Sequence, residues 1–342
     1  MAHAPAVATV IVAYESSAEL PGTLAALRAQ LEPGDELVVV DNASSDASGA
    51  VARAAGATVL ELERNVGFAG GCQAGAGATS APLLFFLNPD CVPAPGALAA
   101  LRAAAAERPD WGAWQALVTL EGGEQVNTSG GVTHWLGMGW AGQVGAPVAA
   151  AGEALRDVSF ASGAALAVRR EAWEAVGGFD PEYFMYSEDL DLSLRLRLAG
   201  WGVGIAPAAR VEHAYDFDKG AYKWFLLERN RWWTVLGAYP TRLLVPLLPA
   251  LLGAELALLV VAARGGWLRE KLRAQAAVLR SLPWALRRRR RVQAQRRVPV
   301  RVFAGGLSAT LDSPFLGPVA ELAPVRTLQA AYWGLVRRLV RV

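Results

Sequence analysis

Val7-Ala8-Thr9-Val10-Ile11-Val12-Ala13 is an apolar, largely β-branched run of strand length, bounded by Pro5 and by Glu15-Ser16-Ser17. A run without polar alternation reads as a parallel strand buried on both faces. The same grammar continues outward. Residues 20–31 carry apolar side chains at helical spacing, Pro33-Gly34-Asp35 is a turn, and residues 36–40 are a second strand ending in Asp41-Asn42-Ala43-Ser44-Ser45-Asp46. Residues 51–55 continue a helix, 58–62 a third strand and 83–87 a fourth, which stops at Asn88-Pro89-Asp90. An alanine-rich helix is expected over 94–106, and strands over 158–168 and 203–211. Strands alternating with helices predict a doubly wound α/β layer with a mostly parallel sheet, which binds ligands beyond the carboxyl ends of its strands.

The chemistry-bearing residues cluster at those ends and in one later stretch. Residues 177–192 hold five carboxylates, Asp180, Glu182, Glu188, Asp189 and Asp191, among Phe179, Tyr183, Phe184, Met185 and Tyr186. Gly177-Gly178 and Pro181 make a turn. Ser187 is then a candidate helix N-cap, with the last three acids in the first helical turn, where backbone N–H groups favour negative charge. Acids there often do no more than cap a helix. Crowded together against an apolar wall, however, carboxylates have raised pKa values, as a general base requires. Asp41 suits the N3–H of a pyrimidine or a ribose hydroxyl, or else closes an Asx turn. Residues 65–71 form a glycine-rich loop that would let backbone N–H groups approach a phosphate. Asp90 suits a hard divalent cation bridging to a diphosphate, or a plain turn. His213, after the strand over 203–211, reads by itself as a core or surface histidine more readily than as a ligand.

The order Gly-Gly-Phe-Asp, Glu-Asp-x-Asp-Leu-x-x-Arg ending at Arg195, and Gly200-Trp201 resembles family 2 glycosyltransferases of the GT-A fold, in particular the bacterial rhamnosyltransferase-like branch. The resemblance covers roughly residues 7–235. It implies Asp189 as catalytic base with Glu188 beside it. On the donor side it implies Tyr14, Glu15, Asp41, Asn42, Asn65, Gly67, Phe68, Gly71, Asn88 and Arg229. On the acceptor side it implies Gly163, Asp191 and Trp201, and as ligands of Mg2+ or Mn2+ it implies Asp90 and His213. Asn88 stands where the family more often has an acid, which leaves one charge fewer for the metal. The implied partners are a nucleotide-sugar donor and a lipid-linked or polysaccharide acceptor. A dinucleotide oxidoreductase would need a glycine fingerprint directly after the first strand, where Tyr14-Glu15-Ser16 stands. A non-catalytic membrane scaffold of the same fold sits poorly with an intact Glu188-Asp189 and Asp90.

Of the 342 residues 53% are apolar, and the mean hydropathy is +0.25. The net charge is only +2, but acids concentrate before about residue 230 and arginines after about residue 264. Cys72 and Cys91 offer no disulfide framework and fit a reducing cytoplasm. Residues 1–8 lack a basic stretch ahead of the first apolar run, so no signal peptide is expected. A catalytic domain over 1–235, with a nucleotide-sugar half to about 110 and an acceptor half beyond, is expected to precede a helical region over 236–342. There, residues 243–263 are almost wholly apolar apart from Glu255, and Arg287 to Arg291 form one run. An interfacial helix or hairpin on an anionic membrane is expected, with a single spanning helix as the alternative. No groove-reading motif accompanies the arginines, so nucleic acid is not expected. The glycine-rich stretch 122–152 is expected as a loop bordering the acceptor, and 332–342 as a short basic helix.

Overall fold

The first strand, β1 (Val7–Ala13), is buried throughout and pairs in parallel with β2 (Glu36–Asp41) on one side, beyond which β3 (Thr58–Glu61) adds a further parallel strand. On its other side lies β4 (Leu83–Leu87), also parallel. The computed structural model describes residues 5–214, 220–312 and 323–340, so residues 1–4, where a leader would begin, lie outside it. After β4 comes the short β5 (Cys91–Pro93), and then β6 (Trp111–Thr119), buried at every position. The sheet continues as β4, β11 (Ala165–Arg169), β6 and β12 (Gly202–His213), with β11 antiparallel to both neighbours and β12 parallel to β6. The edges are finished by β7 (Val126–Thr128) on β6 and by β10 (Arg156–Asp157) and β5 on β12. The carboxyl ends of β1, β2, β4, β6 and β12 therefore all face one way.

The strand β6 is absent from the sequence reading. Its Gly112 and Gln115 interrupt what would otherwise be an apolar run, and both are satisfied only by tertiary partners. Gln115 donates to Ala116 O and Thr128 O and accepts from Ser162 N at 2.8 Å. The stretch 122–152 is not a plain loop: it carries β7, β8 (Gly131–Thr133) and β9 (Gly139–Ala141), and its Trp135 and Trp140 are buried. Of the expected strand over 158–168, only β11 is extended.

The helices α1 (Leu20–Arg28), α2 (Ser48–Ala54), α3 (Gly67–Gly77), α4 (Ala97–Glu107), α5 (Arg170–Val176) and α6 (Glu188–Leu198) accompany this sheet. The expected glycine loop over 65–71 is largely the start of α3, and its glycines pack closely on their neighbours. A Cβ on Gly71 would stand 2.6 Å from a methyl of Val12, so only glycine lets α3 press onto β1. Buried Phe85, Phe86, Trp111 and Trp114 supply much of the apolar burial, at about 1.5–3 kcal/mol for each large side chain.

The chain divides into two compact units. One comprises Met1–Gly131, Ala141–Leu196 and Trp201–Asp216; the other comprises Val132–Trp140, Arg197–Gly200 and Phe217–Val342. The second contains α7 (Tyr222–Ala238), α8 (Thr241–Arg264), α9 (Leu268–Arg280), α10 (Leu282–Ala294), α11 (Val300–Gly305) and α12 (Ala323–Leu339). The α7 helix thus groups with the helices after it, ahead of the boundary that composition suggests near 235. In this unit Glu228, Arg231, Glu255 and Lys271 form one buried cluster of two acids and two bases. Arg231 meets both carboxylates, and Lys271 Nζ lies 2.7 Å from Glu255 Oε2 while also reaching Glu228. Burial alone would raise the Glu255 pKa, but Arg231 and Lys271 hold it down at about 2. The arginine run is also partly consumed. Arg288 is buried, and Arg289 donates to Tyr239 O and Thr241 Oγ1, both at 2.8 Å, closing the end of α7. Only Arg287, Arg290 and Arg291 of the five face solvent.

Candidate active site

Tyr14, directly after β1, is half exposed and free to stack on a flat ring. Its neighbour Glu15 is committed to Ser45, accepting from the backbone N–H at 2.8 Å and the hydroxyl at 2.9 Å. At the end of β2, Asp41 Oδ1 closes an Asx turn by accepting from Ser44 N at 3.0 Å. Asn42 is buried and faces the protein rather than a ligand. It donates to Asn65 Oδ1 at 3.0 Å and accepts from Val66 N at 2.9 Å, while Asn65 Oδ1 also takes the Gly67 N–H at 2.8 Å. These two asparagines fix the entry of α3 and thereby hold Phe68 beside Gly163. Gly67 has a left-handed φ of 74°, and a Cβ there would stand 2.2 Å from Phe184 O. The N–H of Ala69 is likewise spent on Phe184 O, at 3.0 Å. The α-carbons of Gly67 and Gly71 thus face Phe184 and Val12.

The segment pressed against α3 is strained. Phe184, Tyr186 and Ser187 all have left-handed φ angles of 65–67°, unusual for side-chain-bearing residues and worth about 1 kcal/mol or more each. Ser187 does open α6, since its carbonyl accepts from Asp191 N at 2.9 Å, but in a left-handed rather than an extended conformation. Tyr183 and Arg195 hold this arrangement. Asp191 accepts from Tyr183 OH at 2.9 Å and from Arg195 Nε at 2.7 Å, and Arg195 reaches on to Val176 O and Gly178 O. Asp191 has no exposed surface. It braces α6 against the turn before it.

Asp189 stands apart from that brace. Oδ2 accepts from Gly163 N at 2.9 Å and Oδ1 from its neighbour Leu190 N at 2.7 Å, and the residue is partly open to solvent. Burial raises its pKa against the pull of those two N–H groups. Glu188 beside it is raised well above its ordinary value, by burial first and by the Asp189 charge second, and its Oε2 is sealed without a hydrogen-bond partner. Two adjacent carboxylates with such different surroundings do not ionise alike. Burial raises both, and Glu188 the more, so Glu188 holds its proton to higher pH than Asp189 does.

From Gly163 the site runs on without a break. The next residue, Ala164, accepts from Asn88 N at 3.0 Å, and two residues beyond Asn88 stands Asp90. Asp90 Oδ1 lies 3.2 Å from His213 Nε2, brought there because β12 pairs His213 with Cys91. Oxygen and nitrogen ligands 3.2 Å apart subtend about 100° at a cation roughly 2.1 Å from each, which suits an octahedral divalent ion. The pair therefore fits such an ion. The Cys91 thiol, unforeseen in the sequence, belongs to the same cluster. Burial, reinforced by the Asp90 charge, raises its pKa, so it stays a thiol.

Two other expected contacts fall elsewhere. Trp201 precedes the first residue of β12, roughly 30 Å from His213 along the bulged strand, and sits over Gly112. Arg229 belongs to the second unit, where it stacks 4.2 Å from the Trp233 ring and donates to Asn230 Oδ1. The end of β1 carries Tyr14 to Ser17, tied by Ser16 N to Ser48 Oγ at 2.8 Å, and not the glycine turn of a dinucleotide oxidoreductase.

A family model described as glycosyltransferase-like family 2 matches residues 4–234. The chain is 33% identical over 229 residues to N-acetylglucosaminyl-diphospho-decaprenol L-rhamnosyltransferase of Mycobacterium tuberculosis (strain H37Rv), covering 60% of this chain and 74% of that protein. It is 38% identical over 80 residues to rhamnosyltransferase WbbL of Escherichia coli (strain K12), covering 22% of this chain and 30% of the relative. Among solved structures, GalNAc-T7 with UDP, GalNAc and Mn2+ aligns with a TM-score of 0.59 at 16% identity, over 73% of this chain and 51% of that one. TarS 1–349 of S. aureus aligns at 0.52 and 13% identity, over 97% and 90% of the two chains. The structural likenesses speak for the GT-A fold alone. The family match runs from ahead of β1 into α7, and the chain belongs to glycosyltransferase family 2.

Proposed function

We propose that the protein is an inverting glycosyltransferase that moves rhamnose or a similar sugar from a nucleoside-diphosphate donor to a lipid-linked or cell-surface polysaccharide acceptor, at the cytoplasmic face of a membrane. The observation that carries this is the unbroken line of contacts from Asp189 through Gly163 and Ala164 to Asn88, Asp90 and His213. It gathers a general base and a diphosphate-neutralising pair at one end of one sheet. The two rhamnosyltransferase relatives support the sugar, and the diphospho-decaprenol acceptor of one supports a lipid-linked substrate.

In this reading Tyr14 stacks on the base of the donor and Asp41 accepts from its ring or ribose. Asp189, ionised and aimed by the Gly163 N–H, takes the proton of the acceptor hydroxyl. The acceptor oxygen forms its bond to the anomeric carbon while the bond from that carbon to the diphosphate oxygen breaks, inverting the centre in one displacement. Glu188, keeping its proton, adds no second charge beside the base. A divalent cation on Asp90 and His213 would supply positive charge to the leaving diphosphate.

Calorimetric titration with dTDP-rhamnose, UDP-galactofuranose, UDP-glucose and GDP-mannose tests this. The expected result is tightest binding of dTDP-rhamnose, strengthened by Mn2+, with that strengthening lost in Asp90→Ala. A protein that binds none of the four, or an Asp90→Ala variant that keeps the Mn2+ effect, contradicts it.

A further inference from the structure

The α8 helix is two-faced in an unusual way. Leu243, Leu247, Leu251, Glu255 and Ala262 are buried within the second unit. Val245, Leu248, Leu252, Leu256, Val260 and Val261 are 40–69% exposed. All but Val261 fall in one stripe along roughly 22 Å of helix. No polar side chain interrupts the stripe, and Arg242 and Arg264 stand exposed at its two ends. A contiguous apolar patch of this kind marks a surface that something covers.

Two observations say what covers it. The first is cationic. On either side of the last turn of α12 lies a cavity. One, of about 530 Å³, is lined by Thr241, Arg242, Val245, Pro246 and Leu339, at the head of the stripe. The other, of about 290 Å³, is lined by Arg301, Val302, Ala304, Arg337 and Val340. Arg301 and Arg337 thus bring two guanidinium groups to one cavity, and neither has an ion-pair partner among the described residues. Paired guanidinium forks beside aliphatic walls suit a phosphate carried on a lipid.

The second observation fixes the orientation. The buried face of α8 carries Glu255 into the cluster with Arg231 and Lys271. If α8 left to cross a bilayer alone, those cations would stay buried short of a counter-charge, a strongly destabilising state. If α9 went with it, the exposed Arg269, Arg273 and Arg280 would enter hydrocarbon.

We infer that α8 lies in the plane of an anionic bilayer, its 245–260 stripe sunk among acyl chains while Arg301 and Arg337 take a phosphate of an anionic glycerophospholipid. This rests on the membrane-surface part of the proposed function and is independent of the sugar chemistry.

The test uses the full-length chain and vesicles of phosphatidylcholine with or without phosphatidylglycerol, donor binding serving as the check on folding. Leu252→Glu with Leu256→Glu should weaken vesicle binding at least tenfold. Arg301→Glu with Arg337→Glu should remove the preference for phosphatidylglycerol and leave the weaker binding to phosphatidylcholine. In sealed inside-out membrane vesicles from expressing cells, an impermeant maleimide should label Thr241→Cys and Arg264→Cys alike, because both ends of an in-plane helix face the cytoplasmic side. Protection of one end means a spanning helix and overturns the orientation. Unchanged lipid preference in the double arginine variant overturns the phosphate site. A lipid-free dimer that Leu252→Glu dissociates, with no vesicle binding, means a second copy covers the stripe and overturns the proposal. If vesicle binding fails while dTDP-rhamnose still binds, the membrane reading falls and the transferase reading stands.

Discussion

Glu188 and Asp189 are neighbours in the chain with opposite electrostatic tasks. Glu188 is held above its ordinary pKa, so the folded chain keeps a proton that the unfolded chain releases. Between those two pKa values the folded state binds more protons, and stability falls as pH rises. Glu188→Gln removes that penalty while retaining the shape. Its melting midpoint at neutral pH should exceed the wild type, by about 2–4 °C for each kcal/mol recovered, and should vary less with pH. A lower midpoint with unchanged pH dependence would show that Glu188 is ionised in the fold. The sequence distinguished these acids poorly. Asp189 and Asp191 look alike in the motif, yet two residues along a helix is a rotation of about 200°. One therefore faces Gly163 and the other faces Tyr183 and Arg195. Which face is the site follows from what packs on α6, and that is a tertiary fact.

At the scale of elements, β1, β2 and β4 were legible because each is a nearly uninterrupted apolar run, whereas β6 was hidden by Gly112 and Gln115. The α3 glycines were legible as glycines but not in purpose, since their closeness to Val12 and Phe184 depends on strands and turns far away in sequence. The apolar helix α8 shows the same limit. Glu255 reads as a charge stranded in a hydrophobic stretch, and only the fold supplies Lys271 and Arg231 as partners, 16 and 24 residues away. Lys271 has no exposed surface, so Lys271→Met leaves two buried carboxylates to one arginine. Removing one partner of a buried pair typically costs about 3–5 kcal/mol, and urea unfolding of the second unit should lose stability on that scale. A loss of about 1 kcal/mol or less, the worth of an exposed ion pair, would mean that the cluster is open to water.

For the whole molecule, the order of strands in the chain foretold the α/β sheet. The ligand side remains part of the proposed function, and the strand order did not foretell that α7 groups with the helices after it, because composition changes later than packing does. The central claim is that Asp189, aimed by Gly163 and raised by burial, is the base for sugar transfer. Transfer should therefore fail on the acid side as Asp189 is protonated, with an acid limb above the ordinary carboxylate range. The most direct measurement compares wild type with Asp189→Asn for two quantities in one preparation: dTDP-rhamnose affinity by calorimetry, and rhamnosyl transfer to a polyprenyl-diphosphate-linked sugar. The account predicts unchanged affinity with transfer reduced by roughly a hundredfold to ten-thousandfold. Near-native transfer by the asparagine variant would contradict it.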